Sequence, residues 1–247
     1  MISSQARTLL NGGSSPRMLS PDVFSSMEGL APRFLEGLAP ADVKVVLSAA
    51  KQRHFPARYV VTAQGDSADN LFLLTAGRSR YFFVTREGRK HLLLWLPPGE
   101  VFGATSFLTN PSTYIVSTET VKPSSMLVWK RSAIMNLVQR YPRLAENSLA
   151  ISADYLRIYV ATHVALTSNT AQERLSQVLA NLAFGFGRKV ADGIELDVTN
   201  EDLAHTANVT HFTVSRLLNK WCRLGAVTKR RGKILILSEE LLLHEGI

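Results

Sequence analysis

The sequence predicts an α+β fold: an antiparallel β-roll or sandwich, then a long helix, then a winged helix-turn-helix. Three observations carry this. Short β-type runs recur between Gln52 and Lys130, separated by turn residues. Residues 131–168 carry a helical apolar period. From Thr199 onward, two short amphipathic helices precede a basic hairpin.

Residues 1–28 are rich in Ser, Gly, Pro and Asn and read as a loose tail. A short helix is expected over Ala41–Ala50. The strand runs follow: Tyr59–Thr62 before Gln64-Gly65, Leu71–Thr75 before Gly77, Ser79–Thr85, and His91–Leu96 before Pro97-Pro98-Gly99. Tyr114–Thr120 and Met126–Trp129 complete the set, and "TREGRK" reads as a hairpin loop around Gly88.

In the helix over 131–168, Leu144, Ser148, Ile151, Tyr155, Ile158, Thr162 and Ala165 recur at alternating steps of four and three. A period near 3.5 is that of a two-helix seam. This makes Ile151, Tyr155, Ile158 and Thr162 the expected dimer interface; packing of the stripe on the strand domain is the alternative. A further helix spans 171–185, with Gly185 as a stop signal, and "VADGIELDV" contains a short strand. The expected domains are a tail at 1–28, a sensor roll at 29–140, a dimerisation helix at 141–168 and a winged helix-turn-helix at 169–247.

Thr199 with Asp202 forms an N-cap signature, Asp standing where Glu is usual. The first helix then runs to about Thr206, with Leu203 and Ala204 inward. Asn208 sits at the turn, where it tolerates a left-handed backbone. Thr210 caps the second helix, whose buried side is Val214, Leu217, Leu218 and Trp221. His211, Phe212, Ser215 and Arg216 remain on its outer face. After Gly225, "AVTKRRGKILIL" reads as strand, basic turn, strand, with Lys229, Arg230, Arg231 and Lys233 at the tip.

The chain has 247 residues and a net charge of +8. Between Leu203 and Ser238 there are seven Lys or Arg and no acid. A one-sign patch of this kind focuses field towards phosphates. No apolar run is long enough to span a bilayer, and the polar N-terminus has no apolar signal core, so the expected location is cytoplasmic. The single Cys222 excludes an iron–sulfur cluster or a structural zinc, and no metal-ligand spacing occurs. No Gly-rich phosphate loop or nucleophile elbow asks for catalysis, so an enzyme is not expected.

"TNEDLAHTANVTHFTVSRLLNKWCRLGAV" resembles the winged helix of the cyclic AMP receptor/fumarate–nitrate regulator (Crp/Fnr) family of bacterial transcription regulators. "PPGEVFGATSF" resembles the β-roll signature of its cyclic-nucleotide-binding-like domain, and "YPRLAENSLAISADYLRIYVATHVAL" its dimerisation helix. The resemblance covers roughly residues 34–240. It implies a homodimer on a two-fold symmetric double-stranded DNA site, with the second helix in the major groove. Arg216, in the family's "SR" pair, is expected to read a guanine. Thr210, Thr213 and Ser215 are expected to serve phosphates, as are Lys229, Arg230, Arg231 and Lys233 on the wing. Phe212 stands where the family usually has Glu; it lacks an acceptor and is suited instead to a thymine methyl. His211 is open to a base or a phosphate. Activation would also require a surface for RNA polymerase. The rival reading is an effector-binding or protein-docking module whose winged helix contacts protein; steep salt dependence discriminates in favour of DNA.

In cyclic-AMP-binding members of the family an acid follows "FG" and an Arg-Ser pair lies about ten residues later. Here those places hold Ala104 and Tyr114-Ile115, and no Lys or Arg occurs from His91 to Val121. A buried phosphate without a cation is costly, so cyclic AMP is not the expected ligand. Three options stay open for the roll. It binds an uncharged or apolar effector, lined by Phe102, Gly103, Ala104, Phe107, Tyr114 and Ile115 with Tyr159 and Val160 from the helix. It holds haem through His54, His91 or His163. Or it is a filled core and the dimer is competent without a ligand. Cys222 is either an inert helix residue or a redox switch.

Overall fold

The computed structural model describes Met27 and residues 29–88, 90–108, 112–230 and 232–244. The expected tail, apart from Met27, lies outside them. Two compact units divide between Tyr155 and Leu156, inside the long helix rather than at its ends.

The first unit opens with a 3-10 turn at Arg33–Leu35 and helix α1 (Pro40–Ser48), where Pro40 occupies the first turn. One four-stranded antiparallel sheet has the order β1 (Lys51–Phe55), β8 (Ser124–Lys130), β3 (Asn70–Ala76), β6 (Val101–Phe102). The other has the order β2 (Val60–Thr62), β7 (Ser117–Thr120), β4 (Ser79–Val84), β5 (Lys90–Leu96). The turn joining β4 to β5 closes at Gly88, whose N–H donates to the Thr85 carbonyl at 3.0 Å. Strand β1, "KQRHF", has no apolar alternation. Its pairing along β8, from Lys51 with Val128 to Phe55 with Ser124, is what makes it a strand.

Strand β3 is buried on both faces, which explains its unbroken apolar run. Phe72 and Leu74 join Phe55, Val61, Tyr81, Leu96, Phe102, Met126 and Val128 in a core to which both sheets contribute. Leu71 and Leu73 point the other way. They meet Phe34, Val46, Leu47, Trp129, Ile134, Leu137, Leu144 and Ile151, a core shared with the helices. Trp129 donates its indole N–H to the Val46 carbonyl at 2.8 Å. A short helix α2 (Thr105–Leu108) follows β6.

The helical region after β8 is two helices, α3 (Arg131–Arg140) and α4 (Arg143–Ser168), rather than one. Pro142 disfavours helical backbone at the residue before it, and Tyr141 accordingly adopts φ −127°, ψ 79°. The first part of α4 is fixed within this unit. Leu144, Ser148 and Ile151 are buried, Asn147 donates to the Phe34 and Glu36 carbonyls, and Asp154 pairs with Arg33 at 2.5 Å.

The second unit continues with α5 (Ala171–Phe186), opened by a capping box between Thr170 and Glu173. "VADGIELDV" belongs to a hairpin, β9 (Arg188–Val190) and β10 (Gly193–Leu196), not to a single strand. At Gly193 a Cβ would stand 2.0 Å from the Ile236 carbonyl oxygen, so the close approach of β10 to its neighbour requires glycine. Helices α6 (Asn200–Ala207) and α7 (His211–Arg223) precede β11 (Val227–Arg230) and β12 (Lys233–Ile236), in a sheet ordered β11-β12-β10-β9. A final helix α8 (Glu239–His244), which the sequence pattern did not announce, buries Leu242. No described helix is long and apolar enough to cross a membrane.

Candidate nucleic-acid interface

The turn between α6 and α7 is built as its residues dictate. Thr199 accepts from the Asp202 N–H at 3.1 Å, and Asp202 accepts from the Thr199 N–H at 3.2 Å. Asn208 ends α6 at φ 49°, ψ 55°, the left-handed region that Asn tolerates. Arg174 of α5 holds the turn from outside: its Nε donates to the Ala207 carbonyl at 3.0 Å and a terminal nitrogen to the Asn208 carbonyl at 3.4 Å. No sequence pattern pointed to Arg174, because its partners are backbone carbonyls distant in the chain.

Helix α7 is strongly two-sided. Val214, Leu217, Leu218 and Trp221 are buried. The opposite face forms a shallow concave surface lined by Phe212, Ser215, Arg216, Asn219, Cys222 and Arg223. Arg216 is exposed, and among the described residues it makes no hydrogen bond or ion pair. Thr210 caps the helix by accepting from the Thr213 N–H at 3.1 Å, and the two hydroxyls lie 2.9 Å apart. His211 is exposed with its ring edge-on to Phe212. Asn219 was not singled out from sequence, although it lies four residues after Ser215 and three after Arg216, spacings that share a helix face.

The wing cations differ in their engagement. Lys229 donates to the Asn219 side-chain oxygen at 2.6 Å, tying the wing to α7. Lys233 donates to Glu195 at 2.8 Å, and Arg188 donates to the same carboxylate at 2.6 Å. Lys233 is thus partly neutralised by an acid from β10, a strand outside the acid-free stretch. Arg230 is exposed; Arg231 lies outside the described residues.

The bonds from Lys233 and Arg188 hold the Glu195 carboxyl down at about 2. A depressed carboxylate contributes stability that is present above its unfolded value of 4.5 and is lost as the pH falls towards about 2. Glu195→Gln is expected to remove this part of the acid sensitivity of the second unit, read by thermal melts across that window. An unchanged acid limb would show that the two ion pairs do not form in solution.

In the first unit, the residues expected to line one effector pocket divide between two cores. Phe102 stacks on Phe72 with ring centres 4.9 Å apart, and Tyr81 meets its edge. The Tyr114 hydroxyl accepts from the Asn70 N–H at 3.1 Å and donates to the Asn70 carbonyl at 3.0 Å. Burial pushes its phenol well above the ordinary range. Gly103 is packed so closely that a Cβ would meet the Asn70 carbonyl at 2.8 Å. Ala104 and Phe107 instead pack on the helix-side core, and Ile115 is 70% exposed. Tyr159 and Val160 belong to the second unit, Tyr159 half-buried and Val160 exposed. One cation does reach the segment after β6 from outside the interval read in the sequence: Arg131 donates to the Ser106 carbonyl and the Ser112 hydroxyl.

The expected dimer stripe is divided by the packing. Ile151 lies within the helix-side core. Tyr155 packs against both cores and donates to Glu100 at 2.7 Å. They face the strand domain, and only Ile158 and Thr162 of that stripe are exposed. Other exposed apolar positions of α4, Leu149, Leu156, Val160 and Val164, recur with Ala153 on another face. The three histidines considered for haem, His54, His91 and His163, are all exposed, and His54 bonds Ser125 at 2.8 Å. Their placement does not fit a ligand buried inside the roll. Among the described residues no cluster of three or more His, Cys, Asp or Glu is placed to hold a metal. Cys222 is half-buried on α7.

Residues 52–141 match the cyclic nucleotide-binding domain family, and residues 173–245 match the Crp-like helix-turn-helix domain family. The chain is 29% identical over 206 residues to the cyclic AMP receptor protein of Thermus thermophilus, covering 83% of this chain and 93% of that one. It is 23% identical over 209 residues to a CRP-like cAMP-activated global transcriptional regulator of Mycobacterium tuberculosis, covering 84% and 93%. Its fold resembles that of the c-di-GMP responsive global regulator CLP of Xanthomonas campestris, with a TM-score of 0.72 at 18% identity over 81% of this chain and all of that one. With a nucleotide-binding-type roll, a winged helix-turn-helix and relatives that match more than four-fifths of its length, the chain belongs to the Crp/Fnr family of transcription regulators and carries that family's DNA-binding domain.

Proposed function

We propose that this regulator acts as a homodimer on a two-fold symmetric DNA site and does so without cyclic AMP. The observation that carries the DNA reading is Arg216, exposed and unpaired among the described residues, in the concave face of α7. An Arg so presented suits the O6 and N7 of guanine. Thr210, Thr213 and Ser215 flank it, and Lys229, Arg230, Arg231 and Lys233 of the wing supply phosphate contacts. Two such helices in one dimer enter successive major grooves roughly 34 Å apart. The setting is the cytoplasm, with RNA polymerase as the further partner of an activator.

The case against cyclic AMP rests on chemistry. Phe102, Gly103 and Tyr114 are consumed in packing, and Tyr114 spends its hydroxyl on Asn70. The segment from His91 to Val121 has no cation of its own, and Arg131 is engaged by Ser106 and Ser112. The test is selection from a random duplex library by the purified protein, with and without cyclic AMP. A symmetric site holding a guanine in each half, enriched equally in both, is the expected result. Enrichment only with cyclic AMP overturns the second half of the reading.

The exposed face of α4, with Leu149, Ala153, Leu156, Val160 and Val164, supports the dimer. Leu156 is 63% exposed and Val160 56% exposed in the single chain, and burying such a face against a second copy is favourable. Leu156→Glu is expected to shift the protein from dimer to monomer in sedimentation and to lower affinity for the full site. A variant that stays dimeric would move the seam elsewhere.

A further inference from the structure

Phe212 is 85% exposed, more than any other large apolar side chain among the described residues. It takes no part in the buried side of α7, which is complete with Val214, Leu217, Leu218 and Trp221. Its ring meets His211 edge-on at 6.4 Å and borders the concave surface it shares with Ser215, Arg216 and Asn219. A face built only for phosphates calls for cations and hydroxyls, not for a phenyl ring. The ring has no donor or acceptor, so it cannot read a base by hydrogen bonding. Within the major groove the distinctive apolar feature of a base edge is the C5 methyl of thymine. Insertion between base steps is an alternative for an exposed Phe, but it belongs to minor-groove binding. Phe212 shares its helix face with Arg216, so both enter the same groove.

Resting on the DNA reading above, we infer that Phe212 recognises a C5-methyl pyrimidine and so makes one thymine a required element of each half-site. Phe212 and Arg216 are four residues apart, about 6 Å along the helix. That is roughly two base-pair steps at 3.4 Å per step. The methylated pyrimidine therefore lies about two steps from the guanine, and the group read is the methyl rather than the base. A 5-methylcytosine at the same place carries the same group.

The test is a scan of the selected duplex with the full chain, replacing each thymine of a half-site in turn by deoxyuridine. One replacement, about two steps from the guanine, is expected to weaken binding about fourfold, the value of one buried methyl-sized group. At that same pair, 5-methylcytosine is expected to bind about fourfold more tightly than cytosine. Phe212→Ala should bind the thymine and uracil duplexes alike, with an unchanged melting temperature because the ring is exposed. Phe212→Glu should move the preference at that pair towards cytosine, whose amine a carboxylate accepts. Equal binding of uracil and thymine at every position, with the selected duplex still preferred over random DNA, overturns the methyl reading alone. No preference for the selected duplex overturns the DNA reading and this inference with it.

Discussion

Trp221→Ala is expected to unfold or nearly unfold the second unit at physiological temperature. Trp221 is 0% exposed, on the buried side of α7 with Val214, Leu217 and Leu218. Truncating a buried Trp costs about 3–5 kcal/mol, part from lost transfer of the ring out of water and part from the cavity left behind. Against a typical domain stability of about 5–15 kcal/mol this is about a fifth or more of the total. For a domain of this size the melting temperature should fall by on the order of 15 °C or more. Calorimetry should show one transition lowered while that of the roll persists. DNA binding should fail in parallel, because α7 has lost the packing that presents its outer face. A loss below about 1 kcal/mol would show that the ring is not in the core.

Arg216→Ala should have the opposite signature: stability intact, specificity lost. The side chain is exposed and holds no partner among the described residues, so folding loses almost nothing. On the selected duplex the cost is about 1–3 kcal/mol, with relaxed preference at one base pair. Arg230→Ala serves as the contrast. It should weaken all duplexes about equally and reduce the salt slope by about one. Equal losses on selected and random DNA for Arg216→Ala would mean that Arg216 meets phosphate and that another residue of the concave face reads the base.

What could be read from the chain alone was governed by local physics. Thr199 with Asp202, Asn208 at its left-handed turn and the Val214, Leu217, Leu218, Trp221 stripe appear in the structure as the pattern requires. Each depends only on neighbours a few residues away. The strand runs of the roll were legible for the same reason, since alternation and turn residues are local. The Pro142 break was equally local; the apolar period across 131–168 outweighed it in reading the region as one helix.

Tertiary structure decided what depends on which surfaces meet. Periodicity shows that α4 has apolar stripes but not which one the strand domain takes. Packing gives Ile151 and Tyr155 to the cores and leaves Leu149, Leu156 and Val160 outward. Strand β1 exists because β8 offers it a ladder. The acid-free stretch around the wing acquires an acid once β10 brings Glu195 against Lys233. Burial and pairing are sums over partners far apart in sequence. The chain by itself therefore determined the elements and the chemistry of the recognition helix, and only folding decided which apolar faces and charges remained for another molecule to meet.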